Sequence, residues 1–456
     1  MSVLAPGSTS SISGIRNNSQ CGVLNINSNI FRGNNSASTT GSFIGISAGF
    51  GQISVNINNN QLGDASGDAI TFSTATSGIL YGISGSAAPG ASLSISGNNF
   101  KGFNQTIAGS GQHVYIGYSH DANTAITDNI NSNTFTNLVA NTSDIVTFIL
   151  KAGVTTLLAG ATENCNNNSI VGSFSKPVSG GWVSLFGTLG SSQTLVGNTM
   201  IQTGNNFSNI TLAGATVMEG WDNKHGGASG PAKTINGNTF SNWTCGSGDV
   251  YVIQSDFSDN NTTISNNTIS NISASGGISG IFIGRNNKGA LQTCSGNIIS
   301  GLTSAGGAVY GIEVGTQTTV NTFNVNNNTI SSLSSGGTNV TAINVPMVNT
   351  ANVFKNKIYD LSVNNVNGEV YGINIYSTSI GTYNLSNNYI GDLRANITNK
   401  PEAIFGINLA SPGAGTAYSV FYNTVYINAL AGGTNFGTSP LKVASSITAA
   451  NGALSL

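Results

Sequence analysis

Charge is the scarcest property of this 456-residue chain: only 7% of its residues are Asp, Glu, Lys or Arg, where about 25% is usual. The 14 basic residues face 16 acidic ones and form no Lys/Arg cluster, so nothing here would track a phosphate backbone, and nucleic acid is not expected as a partner. No apolar stretch approaches the roughly 20 residues that span a bilayer, so membrane insertion is not expected. The N-terminus, Met1-Ser-Val-Leu-Ala-Pro-Gly-Ser8, lacks the charged and apolar regions of a signal peptide. The chain is therefore expected to be cut from a precursor or to be a fragment of a longer protein. Its four cysteines, Cys21, Cys165, Cys245 and Cys294, show no CxxC or Cys/His spacing, and neither a metal site nor a cofactor is expected. Disorder is not the consequence of the low charge. Disordered segments combine low hydrophobicity with high net charge, whereas this chain is 39% hydrophobic and carries a formal charge of −2.

What fills the chain is a repeat. An Asn followed two residues later by a bulky apolar residue recurs at Asn29, Asn60, Asn98, Asn133, Asn168, Asn198, Asn238, Asn267, Asn297, Asn328, Asn356, Asn388 and Asn423. Three residues before each anchor runs an apolar column from Ile26 and Ile57 through Cys165 and Leu195 to Val420. Two residues after it runs another, from Phe31 and Leu62 through Met200 to Val425. Neither column contains a polar side chain other than a thiol, which behaves as a small hydrophobe when buried. Alternation of period two around the anchors, as in Thr268-Ile269-Ser270, predicts strands with one buried face. A further strand follows in most units, as in Ser279-Gly-Ile-Phe-Ile-Gly284 and Tyr310-Gly-Ile-Glu-Val-Gly315.

One such unit cannot bury its apolar face alone, but stacked units make a continuous core. The expectation is a single all-β domain over residues 1–456, a parallel β-helix (β-solenoid) of about thirteen turns, right-handed by the preference of parallel crossovers. Each anchor Asn is expected at a corner, where its tolerance of left-handed backbone favours a bend and its amide can hydrogen-bond to the Asn of the next turn.

Asn266-Asn-Thr-Ile-Ser-Asn-Ile272 and Asn326-Asn-Asn-Thr-Ile-Ser-Ser-Leu333 resemble the right-handed parallel β-helix repeats of large surface and secreted proteins. Phe421-Tyr-Asn-Thr-Val-Tyr-Ile-Asn428 and Gly433-Thr-Asn-Phe-Gly-Thr-Ser-Pro-Leu441 look more specifically like repeat proteins exported by Bacteroidetes through type IX secretion. The resemblance implies an extracellular or cell-surface location. It also implies a C-terminal sorting domain after the repeats; the chain ends part-way into what looks like another repeat, so truncation is expected.

Parallel β-helices include polysaccharide lyases, glycoside hydrolases and phage tailspikes, but a fold confers none of these activities by itself. Titratable groups are rare, with five Glu and four Arg in all. One region concentrates them. Glu219-Gly-Trp221-Asp222-Asn-Lys224-His225 is followed one turn on by Asp256 and Asp259, and then by Arg285 and Lys288. Paired carboxylates suit glycoside hydrolysis, and carboxylates with a base suit proton abstraction beside a uronate. Glu219, Asp222, His225, Asp256 and Asp259 are therefore the candidate catalytic residues, and Trp221, Lys224, Arg285 and Lys288 the candidate binding residues. The competing reading makes them the solvated charges of loops. His113 and His120-Asp121 read as surface residues away from this cluster. An ice-binding Thr array is disfavoured because Ser169, Ile298, Lys357 and Tyr389 interrupt it. The sequence favours a non-enzymatic stalk or adhesin segment, a rigid spacer and binding surface for glycans or other cell-surface components. The alternatives are a carbohydrate-active enzyme using the 219–288 loops and a tailspike-like glycan-binding β-helix.

Overall fold

The structure, a computed structural model, describes residues 3–4, 9, 11–49, 53–88, 90–105, 107–120, 126–152, 160–188, 198–224, 231–256, 260–284, 291–315, 322–346, 348–376, 380–410, 415–429, 433–444 and 453–455. Each strand pairs in parallel with its copy one turn on, and no helix occurs among the described residues. The fold is an all-β parallel β-solenoid of about twelve turns. The chain divides into two compact units, Met1–Thr234 with Asn238–Ser247, and Ile235–Gly237 with Gly248–Leu456.

In the first unit one sheet stacks Ile12–Asn17, Phe43–Ala48, Leu80–Ala87, His113–His120, Val146–Lys151 and Trp182–Thr188. The last of these also pairs with Val217–Met218 and Trp221–Asn223. A second sheet contains Ser54–Asn58, Ser92–Ser96, Thr127–Asn129, Thr162–Asn164 and Thr199–Thr203. A third contains Asn99–Lys101, Thr134–Val139, Ser169–Lys176, Asn206–Leu212 and Thr239–Thr244. The second unit repeats the plan, with Val250–Ser255, Ile278–Ile283, Val309–Val314 and Asn339–Val345 among its first-sheet strands. Val309–Val314 shows the local rule. Val309, Ile312 and Val314 are buried, Tyr310 and Glu313 face outward, and Gly311 stands between them. In three strands of the first unit Tyr115, Phe148 and Leu185 fill that Gly place. The rings of Tyr115 and Phe148 build an aromatic core with Phe100, Phe135, Phe174 and Phe207.

Between the second and third sheets the chain turns, and the Asn anchors solve the hydrogen-bonding problem of that corner. Asn133 is wholly buried. Its Oδ1 accepts from the backbone N–H and the side-chain amide of Asn98, each at 3.0 Å. Its Nδ2 donates to the carbonyl of Ile95 at 2.8 Å and to Asn168 Oδ1 at 3.0 Å. One side chain thus uses both lone pairs and both protons, and two backbone groups that turn away from strand pairing are satisfied. The ladder runs Asn29, Asn60, Asn98, Asn133, Asn168, Asn205, Asn238 in the first unit. In the second it runs Asn267, Asn297, Asn328, Asn356, Asn388, Asn423.

Two expectations are corrected here. The left-handed residue is the one before each rung, from Ser28 and Asn59 to Asn387 and Tyr422, with φ between 54° and 68°. The rung itself is kept for its amide. Asn198 is also not a rung. Asn205 takes that place behind Gly204 (φ 65°), with Gln202 in the inward column and Phe207 after it. Gln202 hid the true register, because the apolar-column criterion rejects an amide. Met200 is buried in the second sheet beside Glu163, and Leu195 lies outside the described residues. The inward thiols of Cys165 and Cys294 are buried and free, as expected.

Replacing Asn133 by Ala removes four buried hydrogen bonds and leaves the Asn98 N–H and the Ile95 carbonyl without the partner that satisfied them. It should cost at least about 2 kcal/mol in thermal or denaturant unfolding, since each orphaned buried group costs about 1–3 kcal/mol. In the second unit Ile330 is 0% exposed whereas its neighbour Thr329 is partly exposed. Ile330→Ala should cost about 2–5 kcal/mol and Thr329→Ala less than about 1 kcal/mol; equal losses would mean the faces are misassigned.

Candidate functional site

Of the sequence-selected residues, Glu219, Trp221, Asp222 and Lys224 belong to the first unit and Asp256 to the second, while His225, Asp259, Arg285 and Lys288 lie outside the described residues. Trp221 is a core side chain. It is 0% exposed, stacks on Phe186 with centroids 5.0 Å apart, and donates its indole N–H to Gln202 Oε1 at 2.8 Å. It therefore offers no face to a sugar.

Glu219 and Asp222 occupy two outward register positions of the first sheet, equivalent to Tyr310 and Glu313 in the second unit, with Glu219 in the break between Val217–Met218 and Trp221–Asn223. Thr147 pairs in register with Ser184, Leu150 with Gly187, and Gly187 with Asp222, while the Glu219 amide donates to the Val183 carbonyl at 2.9 Å. Small Ser184 and Gly187 therefore lie between taller neighbours, Thr147 and Leu150 on one side and Glu219 and Asp222 on the other. The result is a trough of about 310 Å³ on the outer face, spanning two strand spacings, or about 10 Å. Lys224 Nζ closes on Asp222 Oδ2 at 2.8 Å, and the exposed indole of Trp182, at 39%, stands on the floor strand. Trp182 is the residue the sequence reading missed. It directly precedes the inward Val183 at the start of its strand, and its outward turn depends on register.

Among the described residues, the densest titratable cluster of the first unit lies inside it. Tyr118 and Lys151 are register partners on the first sheet, and Asp128 and Glu163 are register partners on the second; all four are buried. Glu163 accepts from the Tyr118 hydroxyl at 2.8 Å through Oε1 and from Lys151 Nζ through Oε2. His120 Nδ1 lies 2.8 Å from both oxygens of Asp128, and its Nε2 lies 3.2 Å from the Ala88 carbonyl oxygen. Burial raises the Tyr118 phenol well above its usual range, with the Glu163 carboxylate adding to the effect. Burial and then Glu163 raise the Cys165 thiol likewise, so it is not a nucleophile. The signal was present in the sequence: alternation back from Ile130 and Cys165 turns Asp128 and Glu163 inward.

His113 and His120 are therefore not surface residues, and Asp121 lies outside the described residues. His113 takes the inward place that Val146 takes one turn later, because its strand begins at the corner where Gln105 can meet it. Its Nε2 lies 3.0 Å from Gln105 Oε1, and its Nδ1 has no hydrogen-bond partner among the described residues.

No known protein family, curated protein or solved structure matches the chain.

Burial, and secondarily the charge of Lys176, push the His113 ring down to about 4 from 6.5. The folded state then binds fewer protons than the unfolded state between those values. Stability is full above pH 6.5 and falls as pH drops toward about 4, by up to about 3 kcal/mol from this group. His113→Val should flatten that part of the pH–stability curve in denaturant titrations; an unchanged slope would show that His113 titrates normally.

Proposed function

We propose that this chain is an extracellular or cell-surface stalk or adhesin segment, serving as a spacer and a glycan-binding surface without catalysing a reaction. The observation that carries the reading is the outer trough of the first unit. An exposed indole there shares a groove with hydroxyl and carboxylate side chains over the paired strands Val146–Lys151 and Trp182–Thr188. Sugar rings offer C–H faces to aromatic planes and hydroxyls to carboxylates and amides, so this mixture suits a neutral glycan. Low charge and neutral polar outer faces suit a long solvated repeat. The likeness of residues 421–441 to Bacteroidetes proteins exported by type IX secretion supports the location, and the crossover preference supports a right-handed coil.

The enzymatic reading has one observation in its favour, the presence of both Glu219 and Asp222 in the trough. Against it, the Asp222 carboxylate is already held by Lys224 Nζ at 2.8 Å.

Incubation with a panel of neutral and uronate polysaccharides separates the two. Retention of a glycan that weakens at least about fivefold in Trp182→Ala, with no new reducing ends and no unsaturated-uronate absorbance, is the expected result; stacking on one ring is of the order of 1 kcal/mol or more. Turnover that disappears in Glu219→Gln or Asp222→Asn would establish an enzyme instead.

A further inference from the structure

The interior of the first unit holds a pair that neither the spacer nor the binding reading uses. Lys151 and Glu163 are 0% and 1% exposed, and Nζ contacts Oε2 directly. The other carboxylate oxygen, Oε1, takes the Tyr118 hydroxyl at 2.8 Å, and the ammonium lies 5.8 Å from the centre of the Tyr118 ring. The three reacting groups of an amide condensation, amine, carboxyl and a hydrogen-bond donor on the carbonyl oxygen, are thus assembled in a dry place. The geometry points to a modification site: Lys151 and Glu163 condense to an intramolecular isopeptide bond in the folded chain.

The step balances without a further reagent. The ammonium passes a proton to the carboxylate across their contact, leaving a neutral amine and a neutral acid. The amine nitrogen forms a bond to the carboxyl carbon, and Tyr118 O–H holds the oxyanion that develops on Oε1. The C–Oε2 bond then breaks, and that oxygen leaves as water with two protons that began on the ammonium. The third remains on the amide nitrogen.

Two features favour the forward direction here although it is unfavourable in water. Free amines and acids are held apart as hydrated ions, whereas burial removes that hydration and makes a neutral amide the less costly occupant. Fixed orientation also replaces a bimolecular encounter by an intramolecular one. Tyr118 can serve as a proton-bearing donor because burial keeps its phenol protonated. The bond would tie the end of first-sheet strand Val146–Lys151 to second-sheet strand Thr162–Asn164, closing a covalent ring across the intervening connection.

The test is the intact mass of the purified, denatured 456-residue chain. A mass one water below that of the sequence, together with loss of tryptic cleavage after Lys151, is expected. Lys151→Met should restore the full mass expected for its own sequence. A wild-type chain at full sequence mass and cut after Lys151 overturns the proposal, and so does a one-water deficit that persists in Lys151→Met. Tyr118→Phe, followed by mass over time after refolding, should form the linked species at least tenfold more slowly; an unchanged rate overturns the role given to Tyr118.

Discussion

A parallel solenoid must turn its chain several times per coil, and at each turn backbone donors and acceptors lose the partners that a strand supplies. Left buried and unmatched, two such groups per coil would offset much of what stacking gains. The Asn ladder removes this cost at one corner with a single residue type. Asp would accept but not donate, Ser offers one proton, and Gln reaches too far. Only the Asn amide, at this length, can accept twice from one turn and donate once to the backbone and once to the next rung. Because every rung is both satisfied by its neighbours and satisfies them, the ladder also sets register: a coil that slips by one residue loses four hydrogen bonds at once.

That constraint frees the rest of the coil. With register held at the corner, the loops between first and second sheets vary in length, and the outward columns of the first sheet can carry almost any side chain. In the second unit those columns carry Tyr251, Tyr310, Tyr371 and stacked Phe405, flanked by Asn344, Asn374 and Asn408 joined side chain to side chain. In the first unit they carry Ser184, Gly187, Glu219 and Asp222, and the drop in side-chain height is what makes a trough. A recess here therefore reflects outward residue size on a constant backbone.

Most of the fold was legible in the sequence because its two signals are redundant. Period-two alternation marks strands, and Asn at a fixed offset from apolar residues marks turns, so a reading can fail at one repeat without failing at the next. It failed at Asn198, where Asn198-Thr-Met200 imitates a rung and the true rung, Asn205, follows an inward Gln202. The left-handed position was displaced by one residue for a physical reason. Asn tolerates that backbone, but the rung side chain is needed inward, so the preceding residue takes the strain, even where it is Lys355 or Tyr422. The site was less legible. Glu219 and Asp222 were expected in a loop beyond the sheet, whereas they line the sheet itself; Trp221 belongs inward and Trp182 outward, and only the strand register distinguishes the two indoles.

The buried charges of the first unit have their own logic. The last inward column of the first sheet begins with Ser255 in the second unit and is aliphatic after it, at Ile283, Val314, Val345, Ile375 and Leu409. In the first unit Tyr118, Lys151, Thr188 and Asn223 replace it, facing Asp128, Glu163 and Lys233 on the second sheet. An all-aliphatic column tolerates sliding of one coil over the next, since any methyl can replace another. Opposed, buried partners do not: Asp128 shifted from His120, or Glu163 from Lys151, leaves an uncompensated charge in the core. Rung-to-rung spacings are 31, 38, 35, 35, 37 and 33 residues in the first unit and 30, 31, 28, 32 and 35 in the second, so the turns of the first unit are longer but no less even. In those longer turns the opposed pairs fix the stacking of first and second sheets, a specificity that the Asn ladder supplies only at its own corner.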